Sequence, residues 1–135
     1  MGIWCGTLIE SRLQANIPVV VHGYDYPIPD GRGYLGGRGP LPGPWSQPGY
    51  NEKGHGDLIT NAGLVNESID EFNNMLQGLT TVDSFAHLHY LELRGTLDPT
   101  LTNDAYQEDW GNELHPTNDG FEKVADKFAD LINQL

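Results

Sequence analysis

Two short apolar segments separated by a long amphipathic one constrain the fold of this chain more than any other feature. Residues 17–22 are mostly β-branched, apolar on both faces and followed by Gly23, which is typical of a buried strand. Residues 87–93 form a second strand-like run. Between them, apolar residues recur at the three- and four-residue steps of one helix face: Val65, Ile69, Phe72, Leu76 and Leu79. Strands joined by a helical crossover pair in parallel, so we predict an α/β fold with a short parallel sheet, flanking helices and this stripe in the core.

Two further helices are predicted, one near each end of the sequence. The first covers about residues 6–15, where apolar side chains have helical spacing, and Cys5 just before it is interpreted as a small buried hydrophobe. Thr117 is a suitable N-cap for the last helix. The apolar stripe of that helix is formed by Phe121, Val124, Ala125, Phe128, Leu131, Ile132 and Leu135.

Length and charge limit the classes of function. The 135 residues predict a single domain, 1–135. Nineteen acidic against seven basic residues give a net charge of -12, which disfavours nucleic acid and anionic membranes as partners. The single cysteine excludes a disulfide framework and a multi-cysteine metal site, and no cofactor is expected. No secretory leader is visible at the first residues, which predicts a cytoplasmic location.

Residues 23–59 show no periodicity and concentrate glycine and proline. Ten Gly and six Pro lie between residues 23 and 56, which favours turns and disfavours a sheet. The same stretch is rich in aromatic residues, unlike a flexible linker: Tyr24, Tyr26, Tyr34, Trp45 and Tyr50. We therefore predict a long ordered loop that serves a site, the alternative being a loop merely fixed over a core.

We look for catalytic and ligand-binding residues after the two strands, because ligands bind outside the carboxyl ends of parallel strands. His115 stands directly before the capped helix, with carboxylates a few residues upstream. A carboxylate that accepts a hydrogen bond from one ring nitrogen leaves the other nitrogen free for proton transfer. Asp109 is favoured as this acid, with Glu113 as the alternative. A histidine that only caps or packs at the helix start is the competing interpretation of His115.

The run from Asn112 to Phe121, Asn-Glu-Leu-His-Pro-Thr-Asn-Asp-Gly-Phe, resembles the last motif of the SGNH (GDSL-type) hydrolases. In that family an Asp-x-x-His-Pro stretch supplies the acid and base of a Ser-His-Asp triad. Residues 19–27 look like the fourth strand of the family's sheet and the loop after it, and residues 89–93 look like its fifth strand. The resemblance implies the carboxyl-terminal half of a flavodoxin-like, three-layer architecture, with His115 as the base. Asn112 stands where the family has its Asp, so Asp109 or Glu113 would have to serve as the acid.

The Gly-Asp-Ser block that carries the family's nucleophile is absent. None of the four serines follows a strand in a Gly-rich elbow: Ser11, Ser46, Ser68 and Ser84. We therefore expect an SGNH-hydrolase-like protein of unknown substrate that lacks the nucleophile and is impaired or inactive alone. The alternative is a non-catalytic oligomeric module that binds a ligand or partner. The candidate ligand-binding residues are Tyr24, Asp25, Tyr26, Trp45 and Asn112.

The resemblance also predicts a partner. In the family's sheet the fourth strand lies between the third and fifth, and the third has no counterpart here, so the strand at 17–22 would have a bare apolar edge. Such an edge invites pairing with another chain, and we expect a homo-oligomer, a dimer being favoured, with a small-molecule ester as a possible ligand.

Other polar residues have less specific interpretations. His87 and His89 share one face of a strand near His22 and Asp25, which suits zinc, but spacing fixes no third ligand and cross-strand packing explains the pattern as well. Arg94 and Glu92 are expected to form an ion pair or to contact an anion. The loop arginines, Arg32 and Arg38, are expected to contact solvent or a substrate carboxylate.

Overall fold

In the computed structural model of the chain, which describes residues 17–34 and 42–135, two strands pair in parallel. Strand β1 spans Val19–His22 and strand β2 spans Leu88–Leu91. The register runs from Val19 opposite Leu88 to His22 opposite Leu91. The α/β class and the parallel pairing are confirmed, although both strands are shorter than predicted. The helix predicted at about residues 6–15 and the interpretation of Cys5 lie outside the described residues.

Strand β1 is less buried than its sequence predicts. Its three valines are half-buried and His22 is exposed, whereas β2 has buried leucines at both ends. Within the described residues, β2 is the only strand that pairs with β1. The other edge of β1 is therefore unpaired in this part of the chain.

The predicted long loop contains a short helix, which corrects the expectation for residues 23–59. Helix α1 spans Gln47–Glu52, with Pro48 in its first turn. Proline is tolerated there because the first N–H groups of a helix have no intrahelical partner. The next helix, α2, begins at Leu58, inside the region predicted as loop.

Helix α2 spans Leu58–Leu79, and Asp57 caps it by accepting a hydrogen bond from the Thr60 N–H at 2.8 Å. The prediction that its apolar stripe is core holds only in part. Val65, Ile69 and Leu76 are half-buried, whereas Phe72 and Leu79 are 44% and 37% exposed. The residues of α2 that are buried are Asn61, Ala62 and Asn73.

Asn73, a fully buried polar residue, links α2 to the segment that follows β1. Its amide oxygen accepts from the Tyr24 N–H at 2.8 Å, and its amide nitrogen donates to the Tyr24 carbonyl at 2.7 Å. The side chain therefore pairs with the backbone that follows β1 much as a neighbouring strand would. This contact fixes α2 beside the segment that follows β1.

Helix α3 spans Asn118–Ile132, and its predicted N-cap is confirmed because the Thr117 hydroxyl accepts from the Gly120 N–H at 3.1 Å. Part of its apolar stripe is exposed, notably Phe121 and Ile132. Within residues 17–34 and 42–135, none of the helices combines the length and apolar character needed to cross a bilayer.

The hydrophobic core lies among the loops that follow the strands. Its fully buried members come from the two segments that follow the strands: Ile28 after β1, and Leu97, Tyr106 and Trp110 after β2. Leu58 and Val124 from the helices pack against this cluster. Within the described residues, this buried cluster thus lies at the end of the sheet where the candidate residues are.

Candidate functional site

His115 lies in a tight turn between the core and helix α3. Trp110 and Pro116 form an antiparallel bridge, and the Gly111 N–H donates to the His115 carbonyl at 2.9 Å. The Thr117 N–H donates to the Asp109 carbonyl at 2.8 Å, which joins the base of the turn to the helix start. The buried bridge fixes the turn, and the exposed His115 side chain projects from it.

The His115 ring is oriented by Asn112. The Nδ1 atom of His115 lies 3.1 Å from Oδ1 of Asn112, a side chain that is only 4% exposed. The same oxygen accepts from the backbone N–H groups of Leu114 at 2.9 Å and His115 at 3.0 Å. Because two N–H donors face this atom, it is the amide oxygen, and Nδ1 must carry the ring proton that it accepts. Nε2 is then the nitrogen able to accept a proton.

Asp109, the favoured acid, has other partners. It is buried, and both of its carboxylate oxygens lie 2.7 Å from Nζ of Lys123 in α3. Its Oδ2 atom also accepts from the Asp98 N–H at 2.8 Å. The hydrogen bond to Asp109 raises the pKa of Lys123. Asp109 therefore joins α3 to the loop after β2, and Asn112 is the residue that contacts the ring.

Glu113, the alternative acid, accepts hydrogen bonds from the backbone of the Gly/Pro-rich loop. Its side chain is 1% exposed and accepts four backbone N–H groups from residues far away in the sequence. Oε1 accepts from Gly31 at 2.9 Å and Gln47 at 3.0 Å, and Oε2 accepts from Trp45 and Ser46 at 2.6 Å each. One carboxylate thus holds two parts of the loop and the start of α1 against the turn that carries His115.

Asp25, predicted to bind ligand, is used in the same way. It is buried, and it accepts the backbone N–H groups of Gly95 at 2.9 Å, Thr96 at 2.8 Å and Leu97 at 2.7 Å. It also accepts the Tyr26 N–H at 2.8 Å. Its carboxylate therefore joins the loop after β1 to the loop after β2.

Of the three aromatic residues predicted to bind ligand, Trp45 and Tyr24 lie beside the His115 turn, whereas Tyr26 does not. The rings of Trp45 and His115 meet edge to face, with centroids 5.8 Å apart. The Tyr24 hydroxyl donates to the Leu114 carbonyl at 3.3 Å. Tyr26 instead donates to Asp70 of α2 at 2.7 Å, and burial together with that hydrogen bond raises its pKa.

An open groove of about 470 Å³ adjoins the His115 ring. Its walls include Tyr34, Asn112, His115, Pro116 and Phe121. Because it combines aromatic and apolar side chains with an imidazole and an amide, the groove suits a small molecule that has both apolar and hydrogen-bonding parts.

The serines that the structure describes lie elsewhere. Ser46 lines a different depression, beside Tyr50 and Lys53, and Ser84 lies near the start of the strands. The Ser68 hydroxyl donates to the Leu64 carbonyl within α2 at 3.0 Å. Among residues 17–34 and 42–135, no hydroxyl group is hydrogen-bonded to the His115 ring. Ser11 lies outside the described residues.

The three histidines considered for zinc are not brought together with further ligands. The His22 ring packs edge to face on Phe128, with centroids 5.4 Å apart, and its Nδ1 lies 2.8 Å from the Gly23 carbonyl. His87 and His89 line a depression near the start of β2. In the part of the chain that the structure describes, no three His, Cys, Asp or Glu side chains are placed to hold a metal ion.

The arginines take structural partners. Arg94 forms ion pairs with Glu92 at 2.5 Å and Asp70 at 2.9 Å, and the hydrogen bond from Arg94 lowers the pKa of Glu92. Arg32 pairs with Asp30 and lies over the Tyr106 ring, 5.1 Å from its centroid. Arg38 lies outside the described residues.

Sequence reasoning missed the orienting role of Asn112, although the position is visible in the sequence. The Asn-x-x-His spacing places the amide at the same distance along the chain as the acid of the family motif. The structural roles of Asp25, Asp109 and Glu113 have no comparable local signal. Comparisons with protein-family models, with curated proteins and with solved structures find no match to this chain.

Proposed function

We propose that the chain provides the general base of an SGNH-type hydrolytic site but not its nucleophile. His115 is the base, and Asn112 orients its ring. The observation that carries the proposal is the 3.1 Å contact between Nδ1 of His115 and the buried amide oxygen of Asn112. The substrate class is an ester or another acylated small molecule. A flavodoxin-like, three-layer architecture around the parallel sheet is part of the same proposal.

The chemistry follows from the tautomer that Asn112 selects. With its proton on Nδ1, the ring accepts a proton at Nε2 from an attacking hydroxyl or water as that oxygen bonds to the acyl carbon. The same nitrogen returns the proton to the departing alcohol. Asn112 is neutral, so it orients the ring without the electrostatic stabilisation that a carboxylate gives to the imidazolium. We therefore expect less stabilisation of the transition state than a carboxylate at this position would give.

The nucleophile has to come from outside the described residues. Ser46, Ser68 and Ser84 have other surroundings, so the hydroxyl would be supplied by a second chain or by another segment. Loss of the nucleophile from a triad lowers the rate by orders of magnitude. The catalytic proposal therefore predicts slow, impaired hydrolysis by the chain alone, whereas complete absence of hydrolysis is what the non-catalytic candidate predicts.

The test is hydrolysis of p-nitrophenyl acetate by the wild type and by His115→Ala. Surface histidines hydrolyse this ester slowly, so His55→Ala serves as the matched control at an exposed position. We expect a larger loss of rate for His115→Ala than for His55→Ala. Asn112→Asp should raise the rate above wild type, since a carboxylate accepts the same hydrogen bonds and stabilises the imidazolium. Equal rates for the wild type, His115→Ala and His55→Ala would remove the catalytic proposal.

A non-catalytic ligand- or partner-binding module is the second candidate. It is favoured by one observation: the carboxylates of Asp25, Asp109 and Glu113 are all engaged in holding loops. The same assay separates the two candidates, because the binding module predicts background rates for every variant, Asn112→Asp included.

We also propose self-association through the edge of the strand at 17–22, with a dimer favoured. Two observations support it: β1 pairs with a single strand in the described part of the chain, and its valines are half-buried. Sedimentation velocity should show a dimer at micromolar concentration that Val20→Lys converts to monomer. Gln77→Lys, at an exposed position of α2, is the charge-matched control and should leave the dimer intact. A wild type that stays monomeric would contradict the proposal.

A further inference from the structure

The His115 side chain is exposed, which leaves its ring able to rotate away from Asn112. Rotation about the Cα–Cβ bond carries the ring into other staggered rotamers. In those rotamers Nδ1 loses its 3.1 Å contact with the Asn112 amide oxygen. Because a single hydrogen bond has a modest net effect on such an equilibrium, a strongly preferred orientation of the ring requires a second contact.

Trp45 supplies a contact of this kind. The Trp45 and His115 rings meet edge to face, with centroids 5.8 Å apart and planes inclined by 63°. Aromatic rings prefer this arrangement at such separations, and the pair favours it about two- to tenfold beyond the effect of burial. The rotamer of His115 that meets Asn112 is thus also the rotamer that meets Trp45.

The backbone of Trp45 is held by the same turn that carries His115. The Trp45 N–H donates to Oε2 of Glu113 at 2.6 Å, and the Glu113 side chain is buried. Glu113 and His115 are two residues apart in this turn. One short stretch of chain therefore carries the imidazole and, through Glu113, fixes the residue whose indole meets it.

Gly43 lets the Trp45 ring pack closely from another side. Gly43 has a φ of +93°, in the left-handed region that favours glycine. A Cβ atom at this position would lie 2.7 Å from Cζ3 and 2.9 Å from Cε3 of Trp45. Contacts as short as these essentially never occur in folded proteins, so only glycine leaves room for the indole here. The benzene part of the indole therefore lies against the backbone at Gly43.

From these contacts we infer that Trp45 is a positioning residue for His115, and that residues 42–47 of the Gly/Pro-rich loop act on the site by packing. Trp45 keeps the imidazole in the rotamer in which Nδ1 meets Asn112, so Nε2 stays in one position beside the groove. In this role Trp45 acts through His115 and does not need to contact a ligand. The importance of this restraint for hydrolysis rests on the proposed function, whereas the restraint itself does not.

The test is NMR of the His115 ring in the wild type, Trp45→Leu and Trp45→Phe at about pH 9, where histidine rings are neutral. The two ring nitrogens have widely separated ¹⁵N shifts when one of them alone carries the proton, and the shifts converge when both tautomers are populated. We expect the wild type to hold the proton on Nδ1. Trp45→Leu should lower the ratio of this form to all others about two- to tenfold. Trp45→Phe keeps a ring against His115, so its ratio should stay closer to that of the wild type.

Tyr50→Leu is the matched control for the loss of an aromatic ring from the same loop. Tyr50 lies in α1 and lines a different depression, so the ¹⁵N shifts of His115 should not change in this variant. Identical shifts in the wild type and a folded Trp45→Leu protein would overturn the inference. An equal change in Tyr50→Leu would overturn it as well.

Gly43→Ala tests the same restraint without altering either ring. The added Cβ displaces the indole, so the His115 shifts should converge as they do in Trp45→Leu. Gly49→Ala is the control, because a Cβ at that position of α1 meets nothing within 4 Å. Unchanged His115 shifts in a folded Gly43→Ala protein would contradict the packing assigned to Trp45. The Trp45 variants decide the inference if Gly43→Ala does not fold.

The hydrolysis assay separates this inference from the proposed function. Converging shifts in Trp45→Leu, together with equal hydrolysis by the wild type and His115→Ala, would keep the restraint on the ring and remove the catalytic proposal. Loss of hydrolysis in His115→Ala, with unchanged His115 shifts in Trp45→Leu, would keep the base and remove the role of Trp45. Where both proposals hold, the rate of hydrolysis by Trp45→Leu should fall in proportion to the fraction of rings that leave the favoured rotamer.

Discussion

The loops that follow the strands bury many more side chains, both charged and apolar, than the helices that flank them. The loops bury three carboxylates, Asp25, Asp109 and Glu113, together with the ring of Trp110. Helix α2 buries two asparagines and leaves several large apolar side chains exposed. In the described part of this protein, order at the candidate site therefore depends on hydrogen bonds to charged groups more than on apolar helix faces.

The physical basis of the difference is the number of partners that one carboxylate can satisfy. Loops carry backbone N–H groups that no helix or sheet pairs, and a buried N–H without a partner destabilises the fold. An ionised carboxylate has about four acceptor positions, so Glu113 can satisfy four such groups at once. A half-exposed apolar side chain on α2 has no comparable role within the described residues.

The largest expected effect is that of Glu113→Gln. The substitution keeps the shape of the side chain but places an NH₂ donor against backbone N–H donors. We expect a loss of about 3–5 kcal/mol in the free energy of unfolding. Urea denaturation measures it, with Glu122→Gln, at an exposed position of α3, as the control that should change by less than about 0.5 kcal/mol. Similar values for both variants would show that the loops are held by something else.

Gly120→Ala tests the close contact between α3 and the His115 turn. A Cβ atom at Gly120 would collide with the Asp109 carbonyl oxygen and lie 2.9 Å from Cβ of Pro116. We expect a loss of about 2 kcal/mol in thermal or urea unfolding. Gly63→Ala is the control, because a Cβ at that position of α2 meets nothing within 4 Å and should stabilise the helix by about 0.5–1 kcal/mol. Destabilisation by both substitutions would indicate that Gly63 of α2 contacts another part of the folded protein.

Met75→Gln tests whether the exposed apolar side chains of α2 contribute to stability. Met75 is exposed on α2, so replacing it with a polar side chain of similar length should change the unfolding free energy by less than about 0.5 kcal/mol. The measurement is urea denaturation at low protein concentration, where self-association does not contribute. A loss of about 2 kcal/mol or more would show that this face is covered in the folded protein, and the contrast between loops and helices would fail.

The smallest expected effect depends on pH. Hydrogen bonds from Tyr26 and then from Arg94 lower the pKa of Asp70. A carboxyl whose pKa is lower in the folded state stabilises the protein above its unfolded pKa, about 3.9, and loses that contribution as the pH falls through the folded value. The stability difference between wild type and Asp70→Asn should therefore be constant above about pH 5 and disappear in stronger acid.

Tyr26→Phe provides the control for this pH dependence. It removes the first of the two hydrogen bonds to Asp70, so the effect of Asp70→Asn should be smaller in the Tyr26→Phe background. An Asp70→Asn effect that does not vary between pH 7 and strong acid would contradict the assigned cause.

Much of the local structure follows from short-range patterns. The three-to-four-residue spacing predicts α2 and α3, Thr117 predicts the start of α3, and the helical crossover predicts the parallel pairing of β1 with β2. The short helix α1 was missed because glycine and proline dominate its surroundings and its apolar residues are too few for a period.

The sequence by itself determined where the long helices and the strands form, because helix periodicity, capping and β-branched runs act within a few residues. It also placed His115 before a capped helix, where its role as a base remains a prediction. Only the tertiary structure decided the partners of Glu113 and Asp25, since their hydrogen bonds join residues up to 82 positions apart. It likewise decided that α2 buries Asn73 rather than Phe72. The physical reason is that a buried polar group must face specific donors and acceptors, and their positions depend on how distant loops meet.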